Sequence, residues 1–468
     1  MDTPTIAEAA ARIAVRELSP VELVEHCLAR IDAHDSALHS FITVTADRAR
    51  ADARASEKRM MEGTLLGKLD GIPIAHKDIF STRGILTTAQ SRLLRNSTPT
   101  EDASVVARLA DAGTSLLGKL TTHEFALGGP PFDLPWPPAR NPWDIQRFTS
   151  GSSSGTAAAI AGGLILGGTG SDTAGSIRSP ASLCGIVGIK PTYGLCSRRG
   201  VLPLAYSLDH VGPMAATVED CAILLQSMAG HDPYDPASAD RDVPDFSIGL
   251  GRGVRGLRIG VVAHWHETDH PVSAAVRDGI TDALAVWRSE GAEIVEVAMP
   301  SLFDYQAALL VVMLSEAYSV HESTVREHFS EFGERLRNRL VLGALLSSSD
   351  YVAALRNRDE LCSETLRRAA GVDVLVTAGA PGEAPRIDSV PEWGDLSSPG
   401  FNAPFSLTGW PAICLCSGYG ENGMPVAVQM AARPFQEVML LQVADALERI
   451  SGLSARLVSR RAHSEFPR

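Results

Sequence analysis

The sequence has no uninterrupted apolar run long enough to cross a bilayer and opens on no basic stretch followed by an apolar one, so neither a membrane span nor a secretory signal is expected, and a cytoplasmic location is. It has no H-E-x-x-H and no C-x-x-C spacing among its 13 histidines and seven cysteines, which excludes the common zinc motifs and leaves no metal and no cofactor implied. Seven irregularly spaced cysteines in 468 residues make no disulfide framework; all read as reduced thiols, with Cys414 and Cys416 on one face of a strand. Positive charge is in short supply. Forty-two basic against 55 acidic residues leave a formal charge of −13, which argues against a nucleic-acid or anionic-membrane surface. No internal repeat is visible.

What is present is an α/β pattern with 45% hydrophobic residues, enough for a large core. Thr5-Ile6-Ala7-Glu8 and Ser19-Pro20-Val21-Glu22 read as capping boxes opening two helices, the second with an apolar stripe at Leu23, Cys27 and Ile31. A charged helix is expected over 48–61. Strands are expected at 72–75, 115–118, 164–168, 258–262, 293–297, 372–377, 412–416 and 425–430, with helical runs between them. That alternation predicts a large mixed, mostly parallel sheet covered by helices on both faces. Residues 230–255, rich in Asp, Pro and Gly, read as a surface connection.

The stretch from Thr149 to Gly194 carries the chemistry. Two Ser/Gly-rich loops bracket an apolar run from Ala157 to Leu166, the pattern of two tight turns held together by a buried element. A serine on such a turn can be a nucleophile, and the backbone N–H groups beside it can bind an anion. The first loop is Ser150-Gly151-Ser152-Ser153-Ser154-Gly155 and the second Asp172-Thr173-Ala174-Gly175-Ser176-Ile177-Arg178-Ser179-Pro180. Upstream stands Gly71-Ile72-Pro73-Ile74-Ala75-His76-Lys77-Asp78. With Ser207-Leu208-Asp209-His210-Val211-Gly212-Pro213 and the segments 402–411 and 423–433, these motifs run in order over almost the whole chain. The chain thereby resembles the amidase signature family of serine hydrolases. Its departures are Thr149-Ser150 where that family usually has Pro-Gly, and Ala174 where glycine is commoner.

The resemblance implies one amidase signature domain over 1–468: a helical arm at 1–65, a signature core at 66–225, and a part at 256–468 that completes the sheet, with helices at about 302–360 covering the substrate pocket. It implies a Lys77–Ser152–Ser176 triad, a cis peptide bond at Gly151–Ser152, an oxyanion hole from the backbone of Thr173, Ala174, Gly175 and Ser176, and a pocket including Phe125, Ala126, Gly128, Thr149 and Gly151. Composition alone does not choose among Ser152, Ser153 and Ser154; the resemblance chooses Ser152. Ser153 is expected to orient Lys77 or Ser152, and Asp172 with Arg178 to form an ion pair fixing the loop. The chemistry also makes a demand of its own: a serine hydroxyl needs a base, and a lysine serves only when neutral. Lys77 ends an apolar strand, where burial can lower its pKa.

The expected activity is hydrolysis of a small, mostly apolar amide, an aryl amide or a carbamate, through a Ser176 acyl-enzyme. The expected partner set is a small-molecule amide with no nucleic acid and no membrane, in a chain that could pair as a homodimer. One alternative is the glutaminase subunit of a tRNA-dependent amidotransferase, against which counts the absence of an acid in Ser397-Ser398-Pro399-Gly400. The other is a non-catalytic scaffold.

Overall fold

Eleven strands form one twisted sheet in a computed structural model that describes residues 2–461. They are β1 (Phe41–Val44), β2 (Pro73–Lys77), β3 (Ser115–Leu120), β4 (Gly167–Asp172), β5 (Val187–Lys190), β6 (His210–Ala215), β7 (Arg258–Val261), β8 (Glu293–Glu296), β9 (Val374–Ala378), β10 (Ala412–Tyr419) and β11 (Pro425–Ala432). Their order is β1-β3-β2-β4-β6-β5-β10-β11-β9-β7-β8. The expected mixed α/β sheet is there, with a smaller parallel share than the alternation of strands and helices suggested. Parallel pairing is confined to β3-β2-β4 and to β9-β7-β8, and the pairings of β1, β5, β6, β10 and β11 are antiparallel.

The N-terminal arm forms α1 (Ile6–Ala14), α2 (Pro20–Leu38) and α3 (Ala46–Glu62). Thr5 closes a full capping box with Glu8. Ser19 accepts from the backbone of Val21 and Glu22 and donates its hydroxyl to Glu57, but the Glu22 side chain does not return to the Ser19 N–H, so that second box is half made. Leu23, Cys27 and Ile31 are buried as one stripe. Three strands carry no clear signal in the sequence, β1, β5 and β6. Gly212 and Pro213 depress the strand signal of β6.

Strand β4 reads Gly-Gly-Thr-Gly-Ser-Asp, without one large apolar side chain, yet it is wholly buried. Its small residues let α4 (Ser154–Ala161) and the second serine loop close onto it. A Cβ on Gly170 would stand 2.8 Å from Ile177 and 3.1 Å from Ser153 Oγ. The pairing of β2 with β4 is parallel, His76 opposite Thr169, so Lys77 and Ser171 emerge at the same edge. The loop before α4 and the turn between β4 and α5 (Arg178–Cys184) meet at that edge. Carboxyl ends of parallel strands are where α/β sheets place their ligands. Three further helices, α6 (Leu302–His328), α7 (Glu334–Leu345) and α8 (Ser348–Arg368), fill the 302–360 region. No helix among the described residues is long and apolar enough to cross a membrane.

Candidate active site

Lys77 is fully buried at the end of β2. Its Nζ lies 2.6 Å from Ser152 Oγ and 2.8 Å from Ser171 Oγ, hydrogen-bonded to both. Burial pushes its pKa down to about 7, against the opposing pull of the carboxylates of Asp172 and Asp209. A neutral amine with two hydroxyl neighbours can donate to Ser171 while accepting from Ser152, which makes it a competent base. The Gly151–Ser152 peptide bond is cis. Ser152 and Ser176 line a common cavity of about 300 Å³.

Ser171 belongs to no motif in the sequence, and it is Ser171 that takes the second contact of the lysine. Ser153 reaches neither Lys77 nor the Ser152 hydroxyl. Its Oγ contacts the Ser171 backbone and its N–H donates to the Ser176 carbonyl. It ties the two serine loops together.

Asp172 and Arg178 are both completely buried and paired through two contacts of 2.9 Å. The guanidinium holds the Asp172 carboxyl well below the usual carboxylate range. Arg178 also donates to Gln429, Ser406 and the Asn402 carbonyl, so the loop is pinned to the C-terminal third of the chain. Asp172 Oδ1 accepts the N–H of Gly175 at 2.8 Å. This removes Gly175 from the four expected oxyanion donors, because an N–H spent on a buried carboxylate is not aimed at substrate. Thr173 is held through its hydroxyl by Asp209, at 2.6 Å. Asp172→Asn leaves the Arg178 cation buried without its counter-charge and should cost about 3–5 kcal/mol in urea unfolding.

Of the five expected pocket residues, Ala126, Gly128 and Gly151 line the cavity and Phe125 and Thr149 do not. Left-handed backbone at Phe125 (φ 44°) and Ala126 (φ 66°) turns the chain so that the Phe125 ring packs on His321 and Phe332. Thr149 is 1% exposed and spends its hydroxyl on the Ser150 carbonyl. His123, in a loop that the family resemblance already places at the pocket, also lines it, as do Phe148, Arg335, Arg339 and Glu392, which the sequence reading did not single out. His123 stands against Gly151, where a Cβ would lie 2.2 Å from Nε2; burial pushes it down to about 3, with Lys77 in its protonated form and Arg335 adding to the shift, so it is neutral. Arg335 and Arg339, four apart on α7, share a helix face, and that spacing within the region expected to cover the pocket was the available signal. Arg335 donates to the Val390 carbonyl at 3.0 Å, Arg339 to the Glu392 carbonyl, and Asn338 to Glu392 Oε1 at 2.6 Å. These bonds join α7 and the segment 390–393 into one wall. Among the described residues no cluster of three or more His, Cys, Asp or Glu could hold a metal.

The amidase family profile matches residues 22–441. The chain belongs to the amidase signature family. Like other members it is a hydrolase of C–N bonds other than peptide bonds. It is 39% identical to a glutamyl-tRNA(Gln) amidotransferase subunit from Anaeromyxobacter sp. (strain K), over 95% of this chain and 96% of that protein. It superposes with a TM-score of 0.90 and 34% identity on an inhibitor-bound chain from work on a vestigial protein complex and the origins of an s-triazine catabolic enzyme, covering 96% of this chain and 99% of that one. The corresponding glutamyl-tRNA(Gln) amidotransferase chain of Thermotoga maritima superposes with a TM-score of 0.80 at 33% identity, covering 95% and 94%.

These relatives correct one expectation. A partner set of a small-molecule amide with no nucleic acid does not survive full-length similarity to a protein named as one subunit of a glutamyl-tRNA amidotransferase. Net charge misled because it describes a single chain. The charge of one chain does not exclude a basic surface on another chain that binds it.

Proposed function

We propose that this chain is the amide-cleaving subunit of a glutamyl-tRNA(Gln)-type amidotransferase, releasing ammonia from the side-chain amide of glutamine. The contact that carries the reading is Lys77 Nζ to Ser152 Oγ at 2.6 Å inside a fully buried environment, beside a cavity that Ser176 shares. The cavity wall supports an amino-acid substrate. Arg335 and Arg339 match an α-carboxylate, Glu392 matches an α-ammonium, and about 300 Å³ suits a ligand of that size.

Neutral Lys77 takes the proton of Ser152, and Ser152 takes that of Ser176. Ser176 Oγ then bonds to the amide carbon, and the oxyanion faces the backbone N–H groups of Thr173, Ala174 and Ser176, each worth a few kcal/mol when well placed. The C–N bond breaks as the proton returns through Ser152 to the nitrogen, and ammonia leaves. Water entering by the same relay frees the acid and restores Ser176. Two carboxylates near Lys77 moderate the shift without reversing it, so kcat/KM should climb as pH rises through about 7 and then level. A flat profile from pH 5.5 to 8.5 would remove the lysine base.

A second reading has its own support. The higher TM-score to the chain from work on the origins of an s-triazine catabolic enzyme and the lack of an acid in residues 397–400 favour a small amide or carbamate other than glutamine. Assaying ammonia or amine release from L-glutamine, primary amides, anilides and carbamates at one pH decides between them. Glutamine turnover supports the first reading, and turnover of an anilide or carbamate with none of glutamine overturns it.

A further inference from the structure

Among the buried acids that the mechanism leaves unused, Glu124 is the one set between cavity residues. Glu124 is 2% exposed, just past the end of β3, between the cavity residues His123 and Ala126. One carboxyl oxygen is 2.6 Å from Ser91 Oγ, and the other accepts the N–H of Gly333 at 2.8 Å. Gly333 is the N-cap of α7 and has no side chain with which to satisfy that helix's first N–H groups. Asp133 accepts the next one, from Glu334, at 2.9 Å. The cap of α7 is thus supplied from outside, by acids of the segment whose residues Ala126, Gly128 and Gly129 also line the cavity and pack against α7.

We propose that Glu124 is a positioning residue: it fastens the N-terminus of α7 to the loop that carries His123 and Ala126, and so sets Arg335 and Arg339 over the catalytic serines. The assignment of a carboxylate-bearing substrate to those arginines rests on the function proposed above; the clamp itself does not. Burial pushes Glu124 up to about 7, with Asp133 adding to the rise and Arg92 opposing it. Both protonation states satisfy the geometry. The carboxylate accepts from both partners, and the acid accepts from Gly333 while donating to Ser91. A glutamine side chain meets the same pattern, its oxygen accepting from Gly333 and its amide N–H donating to Ser91. Alanine meets none of it and leaves a helix N–H without its acceptor.

The test compares Glu124→Ala, Glu124→Gln and Gly333→Ala with the wild-type protein by three readouts. These are amide exchange over residues 334–338, labelling of Ser176 by a neutral alkyl fluorophosphonate, and kcat and KM for L-glutamine. Glu124→Ala should speed exchange and raise KM about tenfold each, the cost of one unsatisfied donor, with kcat and labelling within about threefold. Glu124→Gln should restore every readout to within about twofold. Should the alanine variant fail to fold, Gly333→Ala decides, since its Cβ would lie 2.9 Å from Glu124 Oε2 and push the clamp apart, giving the same direction of change. Wild-type exchange and KM in these variants would overturn the proposal. So would a glutamine variant as impaired as alanine in labelling and kcat, because the acid would then serve the triad's folding. If the wild-type protein leaves L-glutamine intact, the substrate reading falls and the clamp is judged on exchange alone: faster exchange with unchanged labelling upholds it, and unchanged exchange overturns it.

Discussion

Replacing Ser176 with alanine should reduce kcat on the order of 10⁵-fold while leaving the chain folded, since removing a nucleophile from a serine hydrolase costs about as much as removing its whole catalytic unit. The residue lies at the cavity, between two turns whose rigidity comes from elsewhere. Asp172 accepts from the backbone of Gly175 and Ile177, the buried Arg178 pair anchors that carboxylate, and the Ser176 carbonyl receives the Ser153 N–H. None of these contacts uses the Ser176 hydroxyl. The variant should therefore keep the wild-type unfolding midpoint and bind substrate with nearly unchanged affinity, and it should lose all labelling by a fluorophosphonate. Circular dichroism, calorimetric binding and intact-mass measurement check the three parts separately. Residual turnover above about one part in a thousand would move the nucleophile to another hydroxyl, with Ser152 the first to examine.

Replacing Lys77 with methionine should cost nearly as much activity and should alter stability in a pH-dependent way. The unfolded chain keeps the ordinary lysine value of 10.5, while burial brings the folded value to about 7. Between those two pH values the unfolded chain holds a proton that the folded chain does not, so stability of the wild-type protein rises with pH across that window. The penalty is complete below pH 7 and absent above 10.5. Methionine occupies similar volume without a charge, so the variant lacks this slope. The unfolding free energy of the variant relative to wild type should be most favourable at pH 6–7 and should fall by several kcal/mol toward pH 10. A difference constant over that range would mean that Lys77 titrates as a solvated lysine, and such a lysine would not serve as the base. Loss of turnover without the slope would leave it a structural role.

Much of this architecture is legible from local pattern. The capping box at Thr5, the buried stripe of α2 and the apolar stretches of β2, β3, β10 and β11 follow from side-chain period and turn chemistry. Hydrophobicity draws the expected position of β4 toward Leu164–Leu166. The actual strand is built of glycine, serine and threonine, which allow the closeness that the two serine loops require. β6 escapes for a related reason, with Gly212 and Pro213 inside a buried strand. In both cases tertiary packing overrides propensity where the site is assembled.

The site is legible where residues adjacent in sequence act together and opaque where they do not. The two serine loops and the Lys77 strand end can be read from their motifs. The second contact of Lys77, with Ser171, depends on the parallel register of β2 with β4, which sequence pattern does not encode. The cavity wall from Arg335, Arg339 and Glu392 comes from segments far beyond the serines in the chain; the family resemblance puts helices of 302–360 over the pocket, and the four-residue spacing of the arginines hints at a shared face, but neither points to Glu392. Phe125 belongs with the pocket by its neighbours in sequence, and a left-handed turn takes its ring elsewhere.

The most direct test of the account is the rate at which a neutral fluorophosphonate modifies the wild-type protein from pH 5.5 to 9, with the modified residue located by peptide mass spectrometry. The adduct should fall on Ser176 alone, and its rate should rise through a single midpoint near pH 7, set by the buried amine of Lys77. An adduct on a different side chain, or a rate indifferent to pH over that span, would contradict the proposal that a neutral lysine activates this serine through Ser152.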